Sequence, residues 1–558
     1  MRVAAAQFAV LTDVSANLAT VLRMVDQAAE CKPDVIVLPE FCNHCAWYPD
    51  QEYAYDVGVD LHGDFVAAVA AKAKAYGCYI MLNCTVRREY PKLTVTNILL
   101  GSQGQIVATS DKQTLMGNEN NFATRATALC PIIDTPHAKL GMYSCMDGVI
   151  PETARGLALR GAQVLLNSLN SFAHDEADLH IPVRAAENKV FVVSACKSGP
   201  LVPAEMTKIV AQRLKVAPEF VQGAGDSQII APDGTVLARA PKQVEAVIWA
   251  DIDPNAANDK TWPDGTDSFA TRRPALYKPI AQKPSDTPPT PPAAPQIKAA
   301  AFQVVAKDEA VYGDALRLAI TDGAKLLVLP ELAFLPDGVV KDVVTAQRQS
   351  TEFVAMLRRV LQGSDAIVAT SVVKNGAHVG VLIDANGICL RQPQLHLSQR
   401  HAWHTALGDG VHWFDTAWGR LAVLPAADAL YPETCRLLAL QGVNVLAVCT
   451  QVQAAWETQY GLPERAAENR INAVIATRPS EFGTSCVCAA SLDFTLWAEW
   501  SKPFDGNIST PDMLTADLHS AFVIHTIYPA ASANRFVSQK TNLVDGRPWW
   551  LCGPIVAN

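Results

Sequence analysis

Long apolar runs are missing from this 558-residue chain, although about half of its residues are hydrophobic. No stretch supplies the roughly 20 consecutive apolar residues that a membrane-crossing helix needs, so that class is excluded. Extended runs of one charge are also missing, and a net charge of −9 is modest for this length. That argues against a nucleic-acid or anionic-membrane surface and leaves a small molecule as the expected partner. Met1 and Arg2 lead directly into Val3-Ala4-Ala5-Ala6-Gln7-Phe8, which reads as a core strand rather than the apolar segment of a secretory leader. A GxxxxGK[ST] phosphate loop is absent. The 14 cysteines do not fall at disulfide-framework spacings, which points to reduced thiols and a cytoplasmic protein. Cys42 and Cys45 have CxxC spacing without a second pair or a His-x-His to complete a site, so no metal and no other cofactor is expected.

What is present divides the chain in two. Proline is so dense from Pro279 to Pro295 that an extended, semi-rigid linker is expected there. We read residues 1–278 as one domain, 279–296 as the linker and 297–558 as a second domain.

In the first domain a short apolar strand ends on Cys145, turns through Asp147 and Gly148, and gives way to a helix opened by Pro151, where a missing N–H costs nothing. A lone cysteine so placed is either an inert small hydrophobe or a nucleophile at the mouth of a sheet. Val35-Ile36-Val37-Leu38 is a buried-strand pattern stopped by Pro39 and Glu40. A carboxylate there is either a structural ion pair or helix cap, or a general base whose pKa desolvation raises toward working pH. Lys112 leaves the end of a later strand and Glu119 follows in a loop; either could be an ordinary surface charge. His44, Trp47 and Tyr48 lie in a polar-aromatic loop just beyond the Glu40 strand, where α/β proteins place substrate contacts, and His174 is a further candidate of the same kind.

The second domain repeats the first. Leu329-Pro330-Glu331 echoes Leu38-Pro39-Glu40, Asp428 to Arg436 echoes Asp147 to Arg155, and Arg465-Ala466-Ala467-Glu468-Asn469 repeats Arg184 to Asn188 in the same frame. A period this long means two copies of one domain.

Taken in order, Val37-Leu38-Pro39-Glu40, Asp111-Lys112 with Leu115, and Gly141 to Glu152 around Cys145 resemble the carbon–nitrogen hydrolase (nitrilase) superfamily, twice over. The resemblance implies an α/β fold of two tandem α-β-β-α sandwich domains paired as an intramolecular pseudo-dimer, with room for further homo-oligomerisation. It places the family's Glu-Lys-Cys triad on Glu40, Lys112 and Cys145 and its second glutamate on Glu119. Glu40 would take the thiol proton, and Lys112 with the backbone N–H of Met146 would hold the oxyanion. In the second copy only Glu331 survives. Ala426 stands for the cysteine, Pro393 or Gln394 for the lysine, and Arg400 or His401 for the second glutamate, so that copy should lack this hydrolase chemistry.

Cys145 is followed by Met-Asp-Gly rather than the Trp-Glu of true nitrilases, which favours hydrolysis of a small carboxamide or N-carbamoyl compound through a thioester, with release of ammonia. A nitrilase acting through a thioimidate and a non-enzymatic binding or assembly protein are the alternatives.

Overall fold

A computed structural model describes residues 1–285, 291–304, 309–496 and 498–557; residues 286–290 of the expected linker lie outside the described residues. The chain forms two compact units, and each draws on both halves of the sequence. The first unit comprises Met1–Asp259 with Asp493–Ile508 and Phe536–Ile555; the second comprises Lys260–Leu492, Ser509–Arg535 and the last residues from Val556. Lys278–Ala281, at the head of the expected linker, winds into a 3₁₀ turn that buries Ile280.

The first unit begins with β1 (Arg2–Gln7), α1 (Val14–Ala29), β2 (Val35–Val37), α2 (Gln51–Asp56), α3 (Asp64–Tyr76), β3 (Tyr79–Arg87), β4 (Leu93–Leu100) and β5 (Ile106–Asp111). There follow α4 (Glu119–Phe122), β6 (Ile133–Asp134), β7 (Lys139–Ser144), α5 (Met146–Val149), α6 (Pro151–Leu159), β8 (Val164–Leu169), α7 (Ile181–Asn188) and β9 (Phe191–Cys196). The last elements of this stretch are α8 (Ala204–Leu214), β10 (Gln228–Ile230), β11 (Val236–Arg239) and β12 (Ala246–Asp251). Two six-stranded sheets result, in the orders β12-β1-β2-β3-β4-β5 and β11-β10-β9-β8-β7-β6. β1 and β2 face β8 and β9, with α1 and α3 outside the first sheet and α6 and α7 outside the second. This is an α-β-β-α sandwich.

Local sequence explains the elements. Asp13 caps α1 by accepting the Ala16 N–H at 2.9 Å, and Val21, Met24, Val25 and Ala28 form the buried stripe. The helix ends at Ala29, and the chain leaves it through Lys32 at φ +52° before Pro33. The Pro-Asp-Gly hairpin joins β10 to β11 with Gly234 at φ +87°.

The second unit repeats the plan in β13 (Ile297–Phe302), α9 (Glu309–Thr321), β14 (Ala324–Val328), α10 (Val343–Leu361), β15 (Ile367–Lys374), β16 (Ala377–Asp384) and β17 (Gly387–Pro393). It continues through β18 (Phe414–Thr416), β19 (Gly419–Pro425), α11 (Pro432–Leu440), β20 (Val445–Cys449), α12 (Leu462–Asn469), β21 (Asn472–Ala476), β22 (Cys486–Ala489), β23 (Asp512–Thr515) and β24 (Phe522–Ile527). Its sheets run β17-β16-β15-β14-β13-β24 and β18-β19-β20-β21-β22-β23, the same order with the same crossovers. Among the described residues no helix is long and apolar enough to cross a membrane.

Candidate active site

The end of β8 gathers the site. Cys145, which follows β7, donates its N–H to Ser168 O at 2.9 Å, and Glu40, which follows β2, donates its N–H to Leu169 O at 3.2 Å. The Ser168 hydroxyl reaches Leu38 O at 2.8 Å and joins the two sheets at the same place. Two residues from opposite sheets are thus pinned to one strand end. Both corners are strained: Cys145 sits at φ +45° and its neighbour on the other side, Phe41, at φ +57°, a region L-residues occupy only when their surroundings hold them there. Phe41 is held by its N–H bond to Asn83 Oδ1 at 2.9 Å.

Lys112, one residue past β5, is fully buried between two carboxylates, with Nζ 2.8 Å from Glu40 Oε1 and 2.8 Å from Glu119 Oε2. Glu119 also accepts the Met116 N–H at 2.9 Å, which closes the loop back on itself. Removing the ammonium would leave two carboxylates unpaired in a dry site, a loss of about 3–5 kcal/mol for a buried ion pair. Burial opposes the charge of Lys112, but Glu119 and Glu40 together hold its pKa well above the usual lysine range. Burial pushes Glu40 up to about 8 against the pull of Lys112, with the charge of Glu119 adding to the rise.

Cys145 is 8% exposed. Burial raises its thiol well above the ordinary range; the charge of Glu40 adds to this, Lys112 opposes it, and Glu176 and Glu119 contribute further. All four charged groups therefore act on one sulfur.

Two participants escaped the sequence reading. Glu176 opens a π-helical turn (Glu176–His180), and its Oε1 lies 3.9 Å from Cys145 Sγ. Its counterpart Glu457 opens the matching turn of the second unit, so the repeat that paired Arg184 with Arg465 carried the signal. Asp147 accepts the N–H groups of Thr114 at 2.7 Å and Gln113 at 3.1 Å, tying the segment after Lys112 to the turn after Cys145. Burial raises its pKa to about 6 against the pull of Lys112 and these N–H bonds.

The aromatic loop divides in role. Tyr48 lines a small cavity with Phe41, Thr85, Glu119 and Phe122 and bonds Thr85 Oγ1 at 2.8 Å. His44 is fully buried with both ring nitrogens engaged, by Cys45 O at 2.7 Å and the Tyr53 hydroxyl at 3.1 Å, and it stacks on Tyr48. It backs Tyr48 and does not itself line that cavity. Trp47 is half-buried between the lining residues Ala46 and Tyr48 in sequence but does not itself line that cavity. His174 donates its backbone N–H to Gly506 O at 2.7 Å, in the distant segment that completes this unit.

That segment and its companion cover the corner around Cys145. Met146, Val149 and Ile150 pack with Leu496, Phe504, Ile508 and Leu543 in one apolar cluster. Thr541 accepts the Gly117 N–H at 2.8 Å and donates to Leu115 O at 2.9 Å, bracing the loop that carries Glu119. Trp550 donates to Ala126 O at 3.0 Å and stacks with Arg125.

Backbone bonds settle the equivalences in the second unit. Lys112 N donates to Val95 O at 2.8 Å, and Gln394 N donates to His378 O at 2.9 Å. Asp428 takes the N–H groups of Leu395 and His396 as Asp147 takes those of Gln113 and Thr114. Gln394, not Pro393, therefore stands at the lysine position, His401 at the Glu119 position, His378 at Val95 and Ala426 at Cys145. Ala426 keeps the left-handed corner at φ +55°.

The sequence pattern of the family described as carbon–nitrogen hydrolase matches residues 2–260 and again 296–503. A nitrilase of Pyrococcus abyssi is 26% identical over 262 residues, which are 47% of this chain and 92% of the relative. Deaminated glutathione amidase of Mus musculus is 26% identical over 242 residues, 40% of this chain and 69% of that enzyme. Among solved structures, a cysteine-to-alanine variant of Nesterenkonia AN1 amidase from the nitrilase superfamily is 19% identical at a TM-score of 0.42, covering 50% of this chain and 96% of that one. Because the family pattern accounts for most of the chain and recurs in both repeats, this protein belongs to the carbon–nitrogen hydrolases, as a tandem pair.

Proposed function

We propose that the first unit hydrolyses a small carboxamide or N-carbamoyl compound through a thioester on Cys145, releasing ammonia. The observation that carries this reading is the buried Glu40–Lys112–Glu119 array, whose charges all act on the Cys145 thiol. Burial keeps that sulfur protonated at rest, so attack requires a base rather than a preformed thiolate. Glu40 is that base. It accepts the thiol proton as Sγ adds to the carbonyl carbon, and the oxyanion is held by Lys112 and the Met146 N–H, each such donor contributing about 3–4 kcal/mol in the transition state. Glu40 then passes the proton to the departing nitrogen, the C–N bond breaks, and ammonia leaves. A water molecule, deprotonated by Glu40, adds to the thioester; the C–S bond breaks and the thiol recovers its proton. Glu119 keeps Lys112 charged and fixed in place.

Intact-protein mass spectrometry of enzyme quenched during turnover of a primary amide is expected to show one acyl group, mapped to Cys145. The same acyl group offered as a nitrile should turn over at least about tenfold more slowly; a faster nitrile would transfer the assignment to the thioimidate route, and an adduct elsewhere would remove it altogether.

The direction of the Glu40 shift sets the pH profile. A carboxyl pushed up to about 8 by burial is protonated below that pH and cannot accept the thiol proton, so kcat/KM should fall as pH drops through about 8, with a slope of one on a logarithmic plot. A profile that is flat from pH 6 to 9 would rule Glu40 out as the base.

A further inference from the structure

In the second unit, the place that Lys112 fills in the first is taken by polar side chains. Glu331, His378 and His401 are all buried, their donor atoms lie within 4.8 Å of one another, and among the described residues no other group of three His, Cys, Asp or Glu does so. Hydrogen bonding fixes their protons. The Gln394 side-chain nitrogen donates to His396 O at 2.6 Å, which aims its Oε1 at the two imidazoles. That oxygen only accepts, so His378 Nδ1 at 2.8 Å and His401 Nδ1 at 3.2 Å both donate to it. In the neutral rings both Nε2 atoms therefore carry lone pairs.

His401 Nε2 lies 2.6 Å from Glu331 Oε1, but off the line a hydrogen bond requires. A ring lone pair and a carboxylate oxygen at that separation repel unless a cation, a proton or a metal ion, lies between them. Arg400 Nη2 bonds the other oxygen, Oε2, at 2.8 Å, which leaves Oε1 available. His378 Nε2 stands 2.8 Å from Ser371 Oγ, which accepts the Leu332 N–H at 2.9 Å, so this ring would have to exchange the serine for the ion in order to ligate it.

We propose that Glu331 Oε1, His378 Nε2 and His401 Nε2 bind one divalent transition-metal ion of the zinc and cobalt class. Two imidazoles and one carboxylate are a donor set for such ions, whereas magnesium and calcium prefer oxygen alone. Gln394 supplies the outer support, one oxygen orienting both rings through Nδ1. Binding would draw the three donors, which lie within 4.8 Å of one another, to about 2.0–2.2 Å from the ion. The ion would sit where Gln394 stands in place of Lys112, adding to the positive charge that Arg400 brings to Glu331, and its role is structural.

The full-length protein, stripped with chelator and titrated with Co²⁺, is expected to take up one equivalent with visible ligand-field bands and no strong thiolate-to-cobalt band in the near ultraviolet. His378→Ala and, separately, His401→Gln should each abolish that equivalent while ammonia release by the first unit persists. Because a buried substitution can unfold the unit, X-ray absorption fine structure of Zn²⁺-loaded unmodified protein is the second measurement. A nitrogen/oxygen shell at about 2.0–2.1 Å with imidazole scattering supports the site, and a sulfur shell at about 2.3 Å overturns it. Uptake below half an equivalent, or uptake unchanged in both variants, also overturns it; the residual reading is then an imidazolium–carboxylate pair at His401 and Glu331.

Discussion

Cys145→Ala is expected to reduce ammonia release by at least about 10⁴-fold while leaving the fold intact. Deleting a nucleophile removes the covalent route entirely, and losses of this order or larger follow when such a residue is taken from a concerted array. The usual concern with a left-handed corner is that the variant will not fold. Here the protein contains its own precedent, because Ala426 occupies the equivalent corner at φ +55° with the same strand before it and the same Pro-Glu-Thr helix after it. The test is ammonia release alongside a urea melt. Retention of more than about one hundredth of the activity would remove Cys145 from the mechanism.

The second large effect comes from cutting the chain. A fragment ending at residue 280 is expected to aggregate or to lose at least about 100-fold in activity. It retains Glu40, Lys112, Glu119 and Cys145 but lacks Asp493–Ile508 and Phe536–Ile555, which belong to the first compact unit. Without them Met146, Val149 and Ile150 lose the apolar cover of Leu496, Trp500, Phe504, Ile508, Val537 and Leu543. Each large side chain so exposed forfeits about 1.5–3 kcal/mol, and several together rival the 5–15 kcal/mol by which a whole domain is stable. The Glu119 loop also loses both bonds to Thr541. Light scattering and turnover of the purified fragment decide the matter: a soluble, fully active fragment would show that these segments are dispensable.

The sequence made legible whatever is local or repeated. Glu40 and Lys112 could be located because each follows a strand that ends abruptly, and the constant spacing between the copies exposed the exchange of Cys145 for Ala426. Glu176 obeys that spacing too, but a glutamate in an unremarkable helix draws no notice until its distance to a sulfur is known. Asp147 acts through backbone N–H groups of a distant loop, and no side-chain pattern reports such bonds. His44 shows another limit: its position in the loop pointed to substrate, and its ring partners, Cys45 O and the Tyr53 hydroxyl, could not be foreseen from the pattern. The choice between Pro393 and Gln394 needed the pairing of Gln394 with His378, a partner on a neighbouring strand. Glu331, His378 and His401 are far apart in sequence, so their convergence left no motif. The membership of residues 493–508 and 536–555 in the first unit is of the same kind, since apolar spacing tells that a segment is buried but not which core receives it.

The way the first unit recruits its last pieces bears on the order of events during synthesis. A growing chain emerges from its amino-terminal end, and domains ordinarily close as they appear. Here the first unit must wait for two segments of its cover until translation has passed position 555. Until then the corner around Cys145 stands without the apolar side chains that close over it, long after the strands that carry Glu40, Lys112 and Cys145 have been made.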